Sequence, residues 1–218
     1  MSDLLAKTQE DCRCRWRRRK DARPAEILAA ALKVFSVKGF AATKLDEVAK
    51  AAGVSKGTVY LYFESKEILF KDVVNEFVLP QIVKAEEHAQ QYKGSIKELM
   101  QKLIEQWRTN VIETDLCGIP KIMVAEAALF PELATFYLEN VIQRVRKFVA
   151  NLIVLGIERG EFNKCDPAYA ARHFLAPMVF AAVWEKSLAP YDEQYDIKKY
   201  LNTHLDIFLQ GILKVRQG

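Results

Sequence analysis

The chain has 218 residues, half of them hydrophobic and 28% charged, the balance of an ordinary soluble globular protein with a sizeable core. Its longest apolar run, Phe174–Trp184, is interrupted by Pro177 and falls short of the ~18 residues a bilayer crossing needs, which excludes a membrane span. The net charge of +4 is unevenly placed: residues 1–71 carry 15 Lys and Arg against 9 Asp and Glu, a surplus of 6, whereas residues 72–218 carry 17 against 19, a deficit of 2. A surface able to meet phosphates therefore belongs to the first third.

The segment 1–23 reads as a basic, flexible arm built around Arg13–Arg23. Before "ILAAAL" it has the flavour of a secretion signal, but Glu26 and Lys33 leave the apolar part too short. From Pro24, Ile27, Ala31, Val34 and Phe35 follow the spacing of one helix face, and Gly39 is placed to end that helix. Thr43 then stands where an N-cap belongs, with Asp46 three residues on, and Leu45, Val48, Ala49 and Ala52 make the second apolar face. Gly53 stops that helix, Ser55 caps a third over Lys56–Phe63, and Ser65 opens a long fourth.

Further along, Pro80 is expected to break or kink the fourth helix, and Ser95 with Glu98 forms a capping box ahead of Leu99, Leu103, Ile104, Trp107 and Val111. "DLCGIP" reads as a loop, Pro120–Phe130 and Pro131–Arg159 as helices begun by proline, and "RGEFNKCDP" as a second loop. Helices over about 167–188 and 196–215 close an all-α chain without internal repeats.

The first three helices are short, and a Gly-Val-Ser turn joins the second to the third, which is the geometry of a helix-turn-helix over residues 24–70. Val59 and Phe63 anchor the third helix inward. Ser55, Lys56, Gly57, Thr58, Leu61 and Tyr62 are left pointing outward, with Tyr60 at the edge. Lysine, hydroxyl and phenol groups donate to phosphate oxygens, and Gly57 lets the backbone approach closely, so this helix reads as a major-groove probe rather than a solvated turn.

"GFAATKLDEVAKAAGVSKGTVYLYFESKEILF" (Gly39–Phe70) resembles the DNA-binding domain of TetR-family transcriptional regulators, departing from it at Lys44, where many members carry Thr or Ser. The resemblance implies double-stranded operator DNA as partner, with Thr43 bonding a phosphate, Ser55, Lys56, Gly57, Thr58 and Tyr60 in the groove, and Tyr62 and Lys66 gripping the backbone. It also implies that residues 71–218 form a helical domain that binds a small molecule and makes a homodimer in the cytoplasm. "FPELATFYLENVI" (Phe130–Ile142) and the "RGEF…DP" loop resemble the subgroup with an AefR-like C-terminal domain.

In that larger part, Met100, Ile104, Trp107 and Met123 are large apolar groups, most of which must serve as core. Glu126 stands alone in an apolar helix, and Tyr137, Asn140 and Arg144 form one stripe on the next. These eight residues suit a pocket for an apolar or aromatic effector with one polar group. The polar members, Glu126, Tyr137, Asn140 and Arg144, suit a satisfied polar cluster or a dimer salt bridge equally well. Ala170, Ala171, Phe174, Met178, Ala181, Ala182, Leu201, Leu205, Phe208, Leu209 and Ile212 suit a self-paired four-helix dimer interface.

The histidines, His88, His173 and His204, lie far apart without a nucleophile motif or carboxylate pair, so no enzyme and no cofactor is expected. Cys12, Cys14, Cys117 and Cys165 lack zinc spacing, so no metal is expected either. The rival readings are a ligand-independent DNA-binding protein and a thiol-based redox sensor.

Overall fold

Short polar side chains begin the helices of this protein, whose computed structural model describes residues 23–214. Ser55 Oγ accepts the Thr58 N–H at 3.1 Å and Ser65 Oγ that of Ile68 at 3.2 Å. Ser95 and Glu98 exchange bonds of 3.2 and 3.3 Å as a reciprocal box, and Asp166 and Asp196 cap the last two long helices. One expected cap moves. Lys44, not Thr43, is the cap residue of the second helix, and it is Glu47 that accepts the Lys44 N–H at 3.2 Å.

The resulting order is α1 (residues 23–38), α2 (Leu45–Ala51), α3 (Lys56–Tyr62), α4 (Lys66–Val73) and α5 (Leu79–Gln91). It continues with α6 (Ile96–Trp107), α7 (Gly118–Glu126), α8 (Pro131–Tyr137), α9 (Gln143–Glu158), α10 (Pro167–Glu185) and α11 (Ile197–Ile212). Among the described residues there is no strand, only an isolated antiparallel bridge between Phe162 and Leu213.

Pro80 does not break the fourth helix. A π-turn over Val74–Val78 joins α4 to α5 without interruption, and the Leu79 N–H reaches back five residues to the Val74 carbonyl. The wider turn, closed one residue ahead of Pro80, accommodates a ring that would otherwise crowd the preceding turn. A second π-turn, Leu138–Ile142, likewise joins α8 to α9, where one uninterrupted α-helix is expected from sequence. "DLCGIP" is not a loop but a 3-10 turn, Asp115–Cys117, running into α7, which tolerates Pro120 in its first turn.

Two large cores and a small third cluster, Ile112–Cys117–Ala182, hold these helices. The first joins Ile27, Phe35 and Phe40 to Val48, Val59, Phe63, Phe70 and Val73 of the N-terminal helices. It does not stop at residue 70, because Ile119, Ile122 and Met123 of α7 and Leu133 and Tyr137 of α8 complete it. Phe40 is its hub, with ring centroids 5.7 Å from Phe35, 5.4 Å from Phe70 and 4.7 Å from Phe130. The second core packs α6, α9, α10 and α11 through Leu99, Ile153, Phe174, Met178, Leu201 and Leu205.

This packing corrects the expected dimer face. Ala171, Phe174, Met178, Ala181, Leu201, Leu205, Leu209 and Ile212 are spent inside the subunit, and Ala182 is wholly buried beside Ile112 and Cys117. The apolar side chains that α10 and α11 turn outward are instead Tyr169, Val179, Phe180 and Ile207. The expectation used the residues a helix pair needs for its own core; the outer stripe is set by what remains.

Candidate nucleic-acid interface

The reader is assembled from α2, a reversal at Gly53 and α3. Gly53 adopts φ +65°, a conformation that strains a residue with a Cβ. Val59 and Phe63 sink into the first core, fully and almost fully buried. With 100° between successive helical residues, the face opposite Val59 is committed to solvent. Gly57 and Leu61 are exposed there, Lys56 and Tyr60 are exposed along its flank and Ser55 at the helix cap, with Thr58 half-buried at the other margin.

The polar groups of that face are already ordered by one another. Ser55 Oγ lies 2.8 Å from Thr58 Oγ1 while accepting the Thr58 N–H, and Lys56 Nζ pairs with Asp46 of α2 at 2.8 Å and rests 5.9 Å from the Tyr60 ring centroid. The Asp46 carboxylate raises the Lys56 pKa above its ordinary value, keeping the ammonium charged. The arrangement offers a cation, a hydroxyl pair, a phenol and bare backbone at Gly57 to whatever docks, the donor set a nucleic-acid duplex accepts.

Three expected contact residues are drawn inward. Thr43 is buried and donates through Oγ1 to the Gly39 carbonyl at 2.6 Å. Tyr62 is half-buried against the first core. Lys66 Nζ donates to the carbonyls of Phe40 at 2.8 Å and of Ala41 and Thr43 at 3.1 Å, and sits 4.5 Å from the Phe40 ring centroid. Its ammonium staples the turn that precedes α2 instead of standing free. The Arg-rich arm, with Cys12 and Cys14, lies outside the described residues apart from Arg23, which begins α1.

The eight residues expected to gather around an effector do not share one cavity. Met100 and Ile104 belong to the second core, and Met123 and Tyr137 to the first. Trp107 lies half-buried between the second core and the Ile112–Cys117–Ala182 cluster. Asn140 is exposed and donates to the Phe136 carbonyl of its own helix at 2.8 Å, while Arg144 makes a bidentate pair with Glu86 at 2.6 and 2.9 Å. Glu126 reaches across to the N-terminal unit, accepting the N–H groups of Phe40 at 3.0 Å and Ala41 at 2.6 Å.

Of the roles open to Glu126 from sequence, these bonds match that of a satisfied polar group, although its partners are backbone amides that carry no signature in the sequence. A second close approach lies at the other end of α7: a Cβ on Gly118 would meet the Ser36 backbone of α1 at 2.6 Å. Only glycine lets α7 sit so near α1.

Cys117 is buried, and desolvation pushes its thiol pKa up to about 12. Cys165 is exposed, but partial desolvation and Asp166 also raise its pKa. Neither site favours the thiolate on which thiol reactivity depends. Among the described residues no group of His, Cys, Asp and Glu is arranged to hold a metal ion.

Comparison with known proteins places both halves. Residues 27–73 match the family of bacterial regulatory proteins described as tetR, and residues 98–211 match the C-terminal domain described as that of AefR-like transcriptional repressors. The uncharacterized HTH-type transcriptional regulator YfiR of Bacillus subtilis is 34% identical over 160 residues, covering 72% of this chain and 76% of that protein. The fatty acid metabolism regulator protein of Bacillus subtilis is 26% identical over 202 residues, covering 88% and 98%. Among solved structures, the fatty acid degradation regulator FadR of Bacillus halodurans superposes with a TM-score of 0.75 at 21% identity, covering 87% of this chain and 95% of that one.

Proposed function

This chain belongs to the TetR family of bacterial regulatory proteins, with an AefR-like C-terminal domain, and we infer that it is a ligand-responsive repressor that binds a palindromic operator as a homodimer. The observation that carries the DNA reading is the outer face of α3. Lys56, Gly57, Tyr60 and the Ser55–Thr58 hydroxyl pair stand exposed or half-exposed on a helix anchored to the core through Val59. Work in the cytoplasm, where such DNA lies, follows from that reading; no described helix is long and apolar enough to cross a membrane.

One recognition helix reads too few base pairs for useful specificity, so two are needed, about 34 Å apart, to enter successive major grooves. The outward apolar side chains of α10 and α11, Phe180 and Ile207 among them, supply the pairing surface. Release of DNA is a change in that spacing. The helix begun at Lys66 leaves the reader and enters the larger half, and α7 is tied to the reader through Glu126, so a ligand that displaces either moves α3.

The effector is a small molecule with a substantial apolar or aromatic part, taken up among the α6–α10 helices near Trp107. The full-length relative named as a fatty acid metabolism regulator supports an apolar ligand. Calorimetric titration with and without operator duplex tests the coupling. The effector binds more weakly to the DNA complex, by the same factor by which it weakens DNA binding. Equal affinity in both titrations defeats the switch, and failure of the chain to enrich any duplex from a random library defeats the DNA reading itself.

A further inference from the structure

We propose that Leu61, a residue no polar contact explains, reads thymine through its C5-methyl group in the major groove. The inference rests on the DNA-binding reading above and adds a base preference to it. Leu61 is 73% exposed in a helix whose core contact is Val59, wholly buried. Two residues separate them, about 200° around the helix axis, so Leu61 projects from the face opposite the core.

Its neighbours on that face sharpen the point. Gly57, one turn earlier, is exposed and carries no side chain; even an added Cβ would meet only Ser55 Oγ, at 3.9 Å. Thr58 is engaged with Ser55, and Lys56 with Asp46. Leu61 is therefore the large apolar group standing proudest on the probing helix, beside a strip of bare backbone that lets the helix sit deep.

An isobutyl group has nothing to offer the acceptors and donors on base edges. Of the groups in the major groove, only the thymine C5-methyl rewards an apolar contact by leaving water. An exposed leucine facing solvent is ordinary by itself; one on the outward face of a groove-reading helix is a discriminator.

The test uses the full chain and a duplex it enriches from a random library, with each thymine of the enriched site replaced in turn by deoxyuridine, which removes only the methyl. Wild-type protein is expected to lose about fourfold in affinity at one thymine per half-site, the worth of one buried methyl-sized group. Leu61→Ala loses about as much on the parent duplex and becomes indifferent to that replacement, with an unchanged salt slope because no phosphate contact is lost. Leu61→Met keeps the sensitivity. If Leu61→Ala stays as sensitive as wild type, or no thymine methyl matters to wild type, this proposal falls and the DNA reading stands. If nothing is enriched, both fall.

Discussion

Glu126 and Lys66 hold opposite sides of one turn. The carboxylate of Glu126 takes the N–H groups of Phe40 and Ala41, and the ammonium of Lys66 takes the carbonyls of Phe40, Ala41 and Thr43. The turn between α1 and α2 is thus clamped by an anion from α7 and a cation from the first residue of α4, and its backbone groups are satisfied without secondary structure.

Glu126→Ala removes a charged acceptor and leaves two amides of the turn without it, so a loss of about 2 kcal/mol in urea denaturation is expected. Gly39→Ala should cost a similar amount. Its φ of +83° disfavours a Cβ, which would lie 2.5 Å from Glu126 Oε1. Because both substitutions disturb the same contact, the double variant is expected to lose less than the sum. Strict additivity would show that the clamp does not couple the two positions.

Lys66→Ala is expected to lower stability by about 2 kcal/mol as well, since the turn's carbonyls lose a charged donor. Its effect on DNA binding then runs through the position of α2 and α3. A melting curve identical to wild type, with a salt slope reduced by about one unit, would instead identify Lys66 as a plain phosphate contact.

Asp46→Asn releases Lys56 and removes a negative charge beside the docking face. Affinity for duplexes of any sequence should rise, by roughly fivefold at low salt, with a steeper salt dependence. Anisotropy titrations at several salt concentrations measure this; unchanged or weaker binding would mean that the pair orders Lys56 for its contact.

At the other end of the molecule, Phe180→Glu and Ile207→Glu should leave the helical circular-dichroism spectrum intact and shift sedimentation from dimer to monomer. Ala182→Glu should instead unfold the protein, because it places a carboxylate against the buried Cys117 cluster at a cost of about 3 kcal/mol or more. Dimer survival in both exposed-face variants would move the interface elsewhere.

His204 Nε2 lies 2.8 Å from the Phe174 carbonyl, and burial holds its pKa below the ordinary 6.5 against the upward pull of that bond. A base depressed in the fold gains a proton on unfolding, so its neutral form gives full stability above about pH 6.5 and stability falls as acid is added below it. Thermal melts between pH 7.5 and 5.5 should show this decline, and His204→Gln should flatten it.

What the sequence disclosed was local. Ser55, Ser65 and Ser95 cap the helices they precede because a cap bond spans three residues, and Gly39 ends α1 because its own backbone must turn. The alternation of Val59 with exposed neighbours marked the reading face for the same reason. The bonds of Glu126 and Lys66 span 86 and 26 residues and end on backbone atoms, which leave no residue-type signature. Pro80 and Ala182 were only partly legible for a related cause: a proline shows that the regular bond pattern must yield but not that a π-turn rather than a break will absorb it, and an apolar alanine does not reveal which neighbour buries it.

The first core reaches beyond the reader into α7 and α8, and this limits how such a protein can be recombined. A DNA-binding end carried onto a foreign larger half would arrive with Phe40 and Phe70 short of partners and with no glycine to let another helix rest on Ser36. A working hybrid must inherit Gly118, Ile119, Met123, Glu126 and Leu133 along with the reader, so the inheritable unit here is a discontinuous set of helices rather than a stretch of chain.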